Sequence, residues 1–505
     1  MNFLIAQAAS PVSDVSFGIV NWAVLLLYLA GMVGIGVWCS TRSGSTEQFF
    51  LAGRKIPWWA AGLSIFGTQL SAITFMAIPA TAYAENWVRM LGNIMIMPVI
   101  PVVVFLFLPF FRRLNVVTAY EYLERRFNVV VRAMASLLFI CFQLGRMGIV
   151  LYLPALALSA VTGMNIYVCI ALMGVLATIY TVLGGIEAVI WTDVVQVIVL
   201  LGGAMLCVGV VVSEAGGVSE SFRIAQENNK FETFIWGWSP NKFSVWVIVV
   251  GAFFTNLVPY STDQTVVQRY LTTRDEKQAA GSLWMNFAMT LPTALIFYGL
   301  GTALFVFYYT HPELATPAKD DQIVPWFVVN QLPQGIAGLV IAGVFAAAMS
   351  SLDSSMNSVA SAFVNDFYGR FTKRTDEQHS MFVARCVTIV LGVVGTAIAI
   401  VMASVEIKYL FDLFLKFLGL FGGGLLGVFL LAVLTRRGSS WGAIVGLLAA
   451  AGVTGFVVFY TEINFYLYAV FGALACFGVG YLVSLVTPEI DKKLSGLTIY
   501  TLGKS

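Results

Sequence analysis

Charge is what this chain has least of. Asp, Glu, Lys and Arg make up 11% of its 505 residues, where a soluble protein carries about 25%. So little charge cannot cover a water-exposed surface, and a soluble globular fold is excluded. Apolar residues take the place of charge: 59% are hydrophobic and the mean hydropathy is +0.87. Acids and bases nearly cancel to a net charge of +2, which offers no basic surface to nucleic acid. Histidine is almost missing. His311 and His379 stand near loop signals, so histidine catalysis or a histidine proton relay has little to work with. The six cysteines (Cys39, Cys141, Cys169, Cys207, Cys386, Cys476) are scattered through apolar segments without CxxC or CxxH spacing. Neither a disulfide framework nor a thiolate metal site is expected. No nucleophile–base pair appears and no segment is large enough for a soluble catalytic domain, so the chain is not read as an enzyme. A basic flank before FLIAQAAS is also missing, so no cleaved signal peptide is expected.

Long hydrophobic runs, by contrast, are plentiful. On the criterion of roughly 20 apolar residues per crossing, the chain holds about thirteen spans. We number them zero to twelve; they centre near residues 28, 70, 98, 143, 173, 202, 254, 293, 348, 394, 422, 451 and 475. This is an all-α polytopic membrane protein. Lys and Arg concentrate in one set of loops, among them Arg54, Lys55, Arg112, Arg113, Arg125, Arg126, Arg269, Arg274, Lys277, Arg370 and Arg385. The opposite set holds only Arg223, Lys230, Lys242, Lys319 and Lys408. The positive-inside rule makes the first set cytoplasmic, with the N-terminus outside and the C-terminus inside. The longest external segments, about 214–243 and 309–333, contain Trp, Pro and mixed charge and are expected to hold short helices.

Polar residues inside the spans carry the functional signal. Span eight reads AAAMSSLDSSMN from Ala346 to Asn357. Ser350, Asp353 and Ser354 are spaced i, i+3, i+4 and share one helix face. A carboxylate at mid-membrane is costly unless a cation or water meets it. Several hard oxygens on one face suit a small alkali cation; hydroxyls packing between helices are the plainer alternative. Two further spans look interrupted. Span one carries Gly67, Thr68, Gln69, Ser71 and Thr74 at its centre, and span six carries Asn256, Pro259, Ser261, Thr262 and Asp263. Polar, broken helices five spans apart suggest two five-helix inverted repeats around a midplane site. The single transporter domain, 1–505, would then comprise an extra helix at 18–38, repeats at 58–214 and 243–437, and two final helices at 440–487.

The segment IYTVLGGIEAVIWTDVVQ, from Ile179 to Gln196, resembles the signature of the sodium:solute symporter family. TDQTVVQRY (Thr262 to Tyr270) and SSLDSSMNS (Ser350 to Ser358) resemble its other marks, and the similarity runs from about Asn21 to Pro488. FGTQLSAITFMAIPATAY and FQLGRMGIVLYL are most similar to the bacterial sialic acid symporters. The resemblance implies a LeuT-type 5+5 inverted repeat, a bacterial inner-membrane location, a monomer in the bilayer, and sodium-coupled uptake of a small polar solute. An acidic sugar of the sialic acid kind leads. A neutral hexose, or a transporter-like sensor, is the alternative, and no kinase-like segment after about Leu494 supports sensing.

Site residues follow from the same resemblance. The common sodium site would use the carbonyls of Gly67, Leu70 and Ala347 and the hydroxyls of Ser350 and Ser351. A second sodium site, present in part of the family, would use Asp193, Ser350, Asp353 and Ser354. Asp353 departs from the sialic acid branch, which has serine there. Two close carboxylates would bind sodium more strongly, or let one hold a proton when the ion is absent. Arg146, in mid-span three, matches the arginine that holds the substrate carboxylate in that branch. A bidentate fork suits that role, and an internal ion pair with an acid such as Asp263 is the alternative. Gln69, Ser71, Thr74, Asn93 and Asn256 complete the expected substrate set. Arg89, near the outer end of span two, is expected to be interfacial or gating.

Overall fold

The computed structural model describes residues 17–41, 44–317, 320–372, 376–405, 410–487 and 495–501. Every regular element among the described residues is helical. That follows from the solvent: only helices and closed barrels satisfy every backbone group within hydrocarbon. Ten helices are long and apolar enough to cross, and two bent pairs each make one more crossing. One of the ten, Ile166–Glu214, has 49 residues. At 1.5 Å per residue it is about twice the bilayer's apolar thickness. It divides at Gly185, where φ is 59° and ψ is −153°. A side chain there would also meet the Phe49 carbonyl oxygen at 2.7 Å. Spans four and five therefore meet at Gly185, and the described residues make thirteen crossings, as the hydropathy suggests.

The remaining spans start where their capping residues fall. Asn128 accepts from Val131 N–H to begin span three, Val129–Thr162, and Asp275 accepts from Gln278 N–H to begin span seven, Glu276–Thr310. Asp376 opens span nine, Glu377–Ser404, and Ser439 opens span eleven, Ser440–Tyr460, in the same way. Each side chain satisfies one of the backbone donors that a helix start leaves unpaired. Span zero is Ile19–Ser40, and span two runs over Met90–Arg113 with a π-helical turn at Val103–Phe107. Spans ten and twelve are Leu410–Leu434 and Tyr468–Val486. The two longest segments between spans contain the short helices Val218–Glu227 and Ile323–Gln331.

Span eight, Ile336–Ala362, sits at the middle of the bundle. In its most apolar window 89% of the residues are buried, against 28% for spans zero and nine. This explains how a run of serines survives inside a membrane: lipid never reaches it. Spans one and six are the bent pairs. Trp58–Gln69 meets Thr74–Ala84 at 56°, and Val245–Ser261 meets Gln264–Leu271 at 51°. Both breaks face span three or span eight through side-chain contacts described below.

One charge assignment needs correction. Arg269 was counted among the cytoplasmic loop cations, but it is wholly buried. It lies in the short half-helix Gln264–Leu271 rather than in a loop, and its guanidinium points into the bundle. Arg42, Lys319, Lys373, Arg374, Lys408, Lys492 and Lys493 lie outside the described residues.

Candidate substrate and cation sites

The break in span one frees carbonyl groups. Leu70 leaves the helix with ψ at 79° and Ser71 is extended. The Ser71 N–H turns to Gln69 O at 3.1 Å, so it no longer serves Gly67 O four residues back. Thr68 O is recaptured by side chains: Arg146 Nη2 donates to it at 2.6 Å and Ser351 Oγ at 3.4 Å. One backbone carbonyl thus joins span three to span eight across the break.

All six expected substrate residues, Gln69, Ser71, Thr74, Asn93, Arg146 and Asn256, line one cavity between the two broken spans. Its empty volume is about 1180 Å³, part of it open to solvent. Arg146 is 4% exposed, and no carboxylate pairs with it among the described residues. Its Nε has no hydrogen-bond partner. Asp263 lies within its electrostatic reach but is engaged elsewhere. It accepts from Gln143 Nε2 at 2.9 Å and from Thr265 N–H and Oγ1 at 2.8 and 2.6 Å. The internal ion pair considered as the alternative is not formed. Gln69 Nε2 is also buried and unpartnered on the cavity wall. Asn256 Nδ2 donates to Gly92 O at 2.9 Å, and the Ser71 and Thr74 hydroxyls are 3.5 Å apart. Span seven adds Asn286, Thr290 and Thr293, which the sequence did not single out. The rest of the wall is largely aromatic and aliphatic, the usual mix for a small-molecule site. Arg89 stands away from this cavity. It pairs with Glu85 at 3.3 Å and lies 4.5 Å over the Phe243 ring, as an interfacial residue would.

A second, smaller cavity of about 170 Å³ lies where spans one, five and eight meet. Gly67, Leu70, Ala347 and Ser350 line it, with Gln196 from span five. Four of the five residues expected at the common sodium site therefore converge on one small space. Ser351 does not line it; its hydroxyl donates instead to Thr68 O in the break of span one, at 3.4 Å. Gly67 is required here: an added Cβ would meet Val197 Cγ2 at 2.9 Å and Ser350 Oγ at 3.4 Å. Ring-like oxygen coordination of this kind can replace the hydration shell of a small cation.

Asp193, Ser350, Asp353 and Ser354 form one continuous polar cluster beside it. Ser350 Oγ donates to Asp193 Oδ1 at 2.5 Å, and Ser64 Oγ donates to Oδ2 at 2.5 Å. Asp353 Oδ2 accepts from the Tyr180 hydroxyl at 2.8 Å, and its Oδ1 lies 3.3 Å from Ser354 Oγ. Thr68 Oγ1 reaches Ser354 Oγ at 3.1 Å. The sequence missed Arg269. Its Nη2 pairs with Asp193 Oδ2 at 3.1 Å and bonds Ser354 Oγ, while Nε donates to Ser64 Oγ at 2.7 Å. The two carboxylates do not stand alone, because Arg269 supplies a positive charge for Asp193. Asp353 has no ion-pair partner among the described residues. Arg269, Tyr180 and Gln196 all fall inside the motif segments quoted above, and that was the signal available for them.

A central helix rich in hydroxyls, two helices broken at its flanks, and a partly open, mostly apolar cavity with a few polar groups between them define a membrane transporter rather than an enzyme. The family model "Sodium:solute symporter family" matches residues 49–450. The chain belongs to this family and has the LeuT-type fold. It is similar to the sodium/sialic acid symporter NanT of Aliivibrio fischeri, 38% identical over 94% of this chain and 96% of that protein. The sodium/sialic acid symporter SiaT of Proteus mirabilis is 39% identical over 91% and 93%. A solved substrate-bound, outward-open structure of a Na⁺-coupled sialic acid symporter superposes with a TM-score of 0.90 at 37% identity. That match covers 94% of this chain and all of the other.

Proposed function

We propose that this protein is a sodium-driven importer of sialic acid or a closely related carboxylated sugar. Two relatives and one solved neighbour carry sialic acid in their names, and Arg146 is the observation that supports the same class here. A buried guanidinium with no acid partner is expensive in a membrane. A substrate carboxylate in the cavity would complete it with two parallel hydrogen bonds. Gln69 Nε2 and the polar side chains of Ser71, Thr74, Asn93 and Asn256 would read the hydroxyl and amide groups of the sugar. Unpaired buried groups of this kind discriminate strongly between near-isosteric substrates.

Sodium would occupy the small cavity first, on the carbonyls of Gly67, Leu70 and Ala347 and the hydroxyls of Ser350 and Ser351. A second sodium ion would balance the cluster of Asp193, Ser350, Asp353 and Ser354. Thr68 ties ion and solute together, because its carbonyl is shared by Ser351 on the ion side and Arg146 on the solute side. A substrate that draws Arg146 away from Thr68 O releases the broken span toward the cation, and the converse also holds. Rocking of the broken-helix repeats would then expose both cargoes to the cytoplasm. The N-terminus would lie outside and the C-terminus inside a bacterial inner membrane, an orientation that the positive-inside pattern supports. The full cavity is built within one chain, so a monomer suffices. Each sodium gains about 2.3 kcal/mol per 100 mV of potential.

Competition for labelled sialic acid uptake tests the substrate class. Unlabelled sialic acid should displace the label and galactose should not; equal displacement by galactose would make the protein a neutral hexose carrier. Two substitutions test the first ion. Ser351→Ala deletes a hydroxyl ligand and should raise the half-saturating sodium concentration about tenfold or more, in line with the loss of one ligand to a charged group. Gly67→Ala fills the small cavity and should weaken sodium dependence while leaving the protein folded. An unchanged sodium curve in both would remove the ion from this cavity.

A further inference from the structure

Spans three and eight lie five crossings apart, as do the broken spans one and six, and each of the two reaches toward both breaks. On span three, Arg146 Nη2 donates to Thr68 O in the break of span one. Gln143 Nε2 donates to Asp263 in the break of span six, at 2.9 Å to Oδ2 and 3.2 Å to Oδ1. These two residues are i, i+3 and share one helix face. On span eight, Ser351 and Ser355 are i, i+4. Ser351 Oγ donates to Thr68 O, and Ser355 Oγ donates to Gln143 Oε1 at 2.8 Å. The bonds close a ring through spans one, three and eight, and Gln143 extends it to span six.

Gln143 and Ser355 are fully buried and Asp263 is 3% exposed, so each polar atom has to find its partner inside the protein. Among the described residues, the side-chain oxygens of Asp263 receive donors only. Besides Gln143 these are the Thr265 N–H and hydroxyl, and the N–H bond opens the inner half-helix Gln264–Leu271. A carboxylate that only accepts fixes the Gln143 amide with its NH2 toward span six and its carbonyl toward span eight. Glu in this place would set carboxylate against carboxylate, and Leu would leave Asp263 short of a donor. The Ser355 hydroxyl has a single proton and two acceptors, Gln143 Oε1 and, one turn back, Ser351 O, each at 2.8 Å. It can leave Gln143 without going unpaired. The tie between spans eight and six can therefore open and close while the amide stays on Asp263.

Resting on the sodium-symport reading above, we infer that Gln143 is a positioning residue for transport: it passes the state of the cation-bearing turn of span eight to the break of span six. Sodium on Ala347, Ser350 and Ser351 would fix that turn, and Ser355 follows it by one turn on the same face. With the Ser355 proton on Gln143, the amide and Asp263 hold the start of the inner half-helix of span six. Asp263 and Arg146 both line the cavity that would receive the solute, so the hold is felt there. With the proton on Ser351 O, span six is released from span eight. Thr68 links the ion to span one, and Gln143 is its counterpart for span six. Coupling between two sites needs an element with two arrangements that both sites bias; the Ser355 proton, shared between two acceptors, is that element.

The test measures binding rather than uptake, on the full-length protein in lipid nanodiscs, with labelled sialic acid and sodium as the probes. Its readout is the coupling ratio, the sialic acid Kd without sodium divided by the Kd at saturating sodium. Ser355→Ala removes only the span-eight arm and leaves Gln143 on Asp263. It should lower the ratio about three- to tenfold, as the loss of one hydrogen bond implies, with the sodium-free Kd unchanged. A merely structural defect would weaken binding in both conditions and spare the ratio. Gln143→Leu should lower the ratio at least as far, and Ser355→Ala added to it should lower it no further, because both act on one link. A wild-type ratio in Ser355→Ala, or losses that add in the double variant, would overturn the role of Gln143 alone. Wild-type sialic acid binding that sodium does not tighten would overturn both this role and the symport reading beneath it.

Discussion

Uptake of an acidic sugar should fall by about two to three orders of magnitude in Arg146→Ala, the loss expected when a buried charge pair is broken from one side. Arg146→Lys should recover little of it. The ammonium keeps the charge but cannot form two parallel bonds to a carboxylate, nor reach Thr68 O in the same plane. The comparison that matters is between substrates. An uncharged analogue in which the carboxylate is replaced by an amide should be transported poorly by the wild type and lose little further in either variant. Equal losses for acid and amide would mean that Arg146 serves only to hold the broken end of span one through Thr68.

Asp193→Asn should be the most damaging substitution to stability. It leaves Arg269 fully buried without its ion-pair partner, and breaking a buried pair from one side costs about 3–5 kcal/mol. The melting temperature in detergent should drop and the yield of monodisperse protein with it. Adding Arg269→Gln should restore a large part of both, because the buried guanidinium left without its ion-pair partner is then gone. Effects of groups in one network are not additive, and here the double variant should be more stable than Asp193→Asn alone. Sodium-coupled uptake should not return, since the polar cluster around Ser64, Ser350 and Ser354 would lack its organising pair. If the two losses simply add, Asp193 and Arg269 do not act as a pair.

Much of this architecture was legible before any coordinates. Thirteen crossings could be counted because a bilayer fixes the length of an apolar run, and the 49-residue helix Ile166–Glu214 was separable into two spans on that length alone. The breaks in spans one and six were visible because glycine, proline and hydroxyl residues interrupt runs that lipid would otherwise keep apolar. The polar face of span eight was readable from helical spacing, and its burial at the bundle centre explains why it tolerates Asp353. Other features were hidden for a physical reason. Positive residues were sorted by loop, and a loop rule cannot see that Arg269 sits on a short half-helix turned inward. Asn286, Thr290 and Thr293 of span seven stand singly in an apolar run, so nothing local marks them as cavity residues.

The central claim, sodium-driven import of a carboxylated sugar, is tested most directly by one measurement. Purified protein is reconstituted into liposomes, and labelled sialic acid uptake is followed while an inward sodium gradient is set against an equal potassium gradient, with an inside-negative potential imposed or collapsed. The account predicts concentrative uptake with sodium only. It also predicts faster uptake at negative potential, because two sodium ions with a monoanion carry net positive charge inward, at about 2.3 kcal/mol per charge per 100 mV. Accumulation that is the same with potassium as with sodium would contradict it.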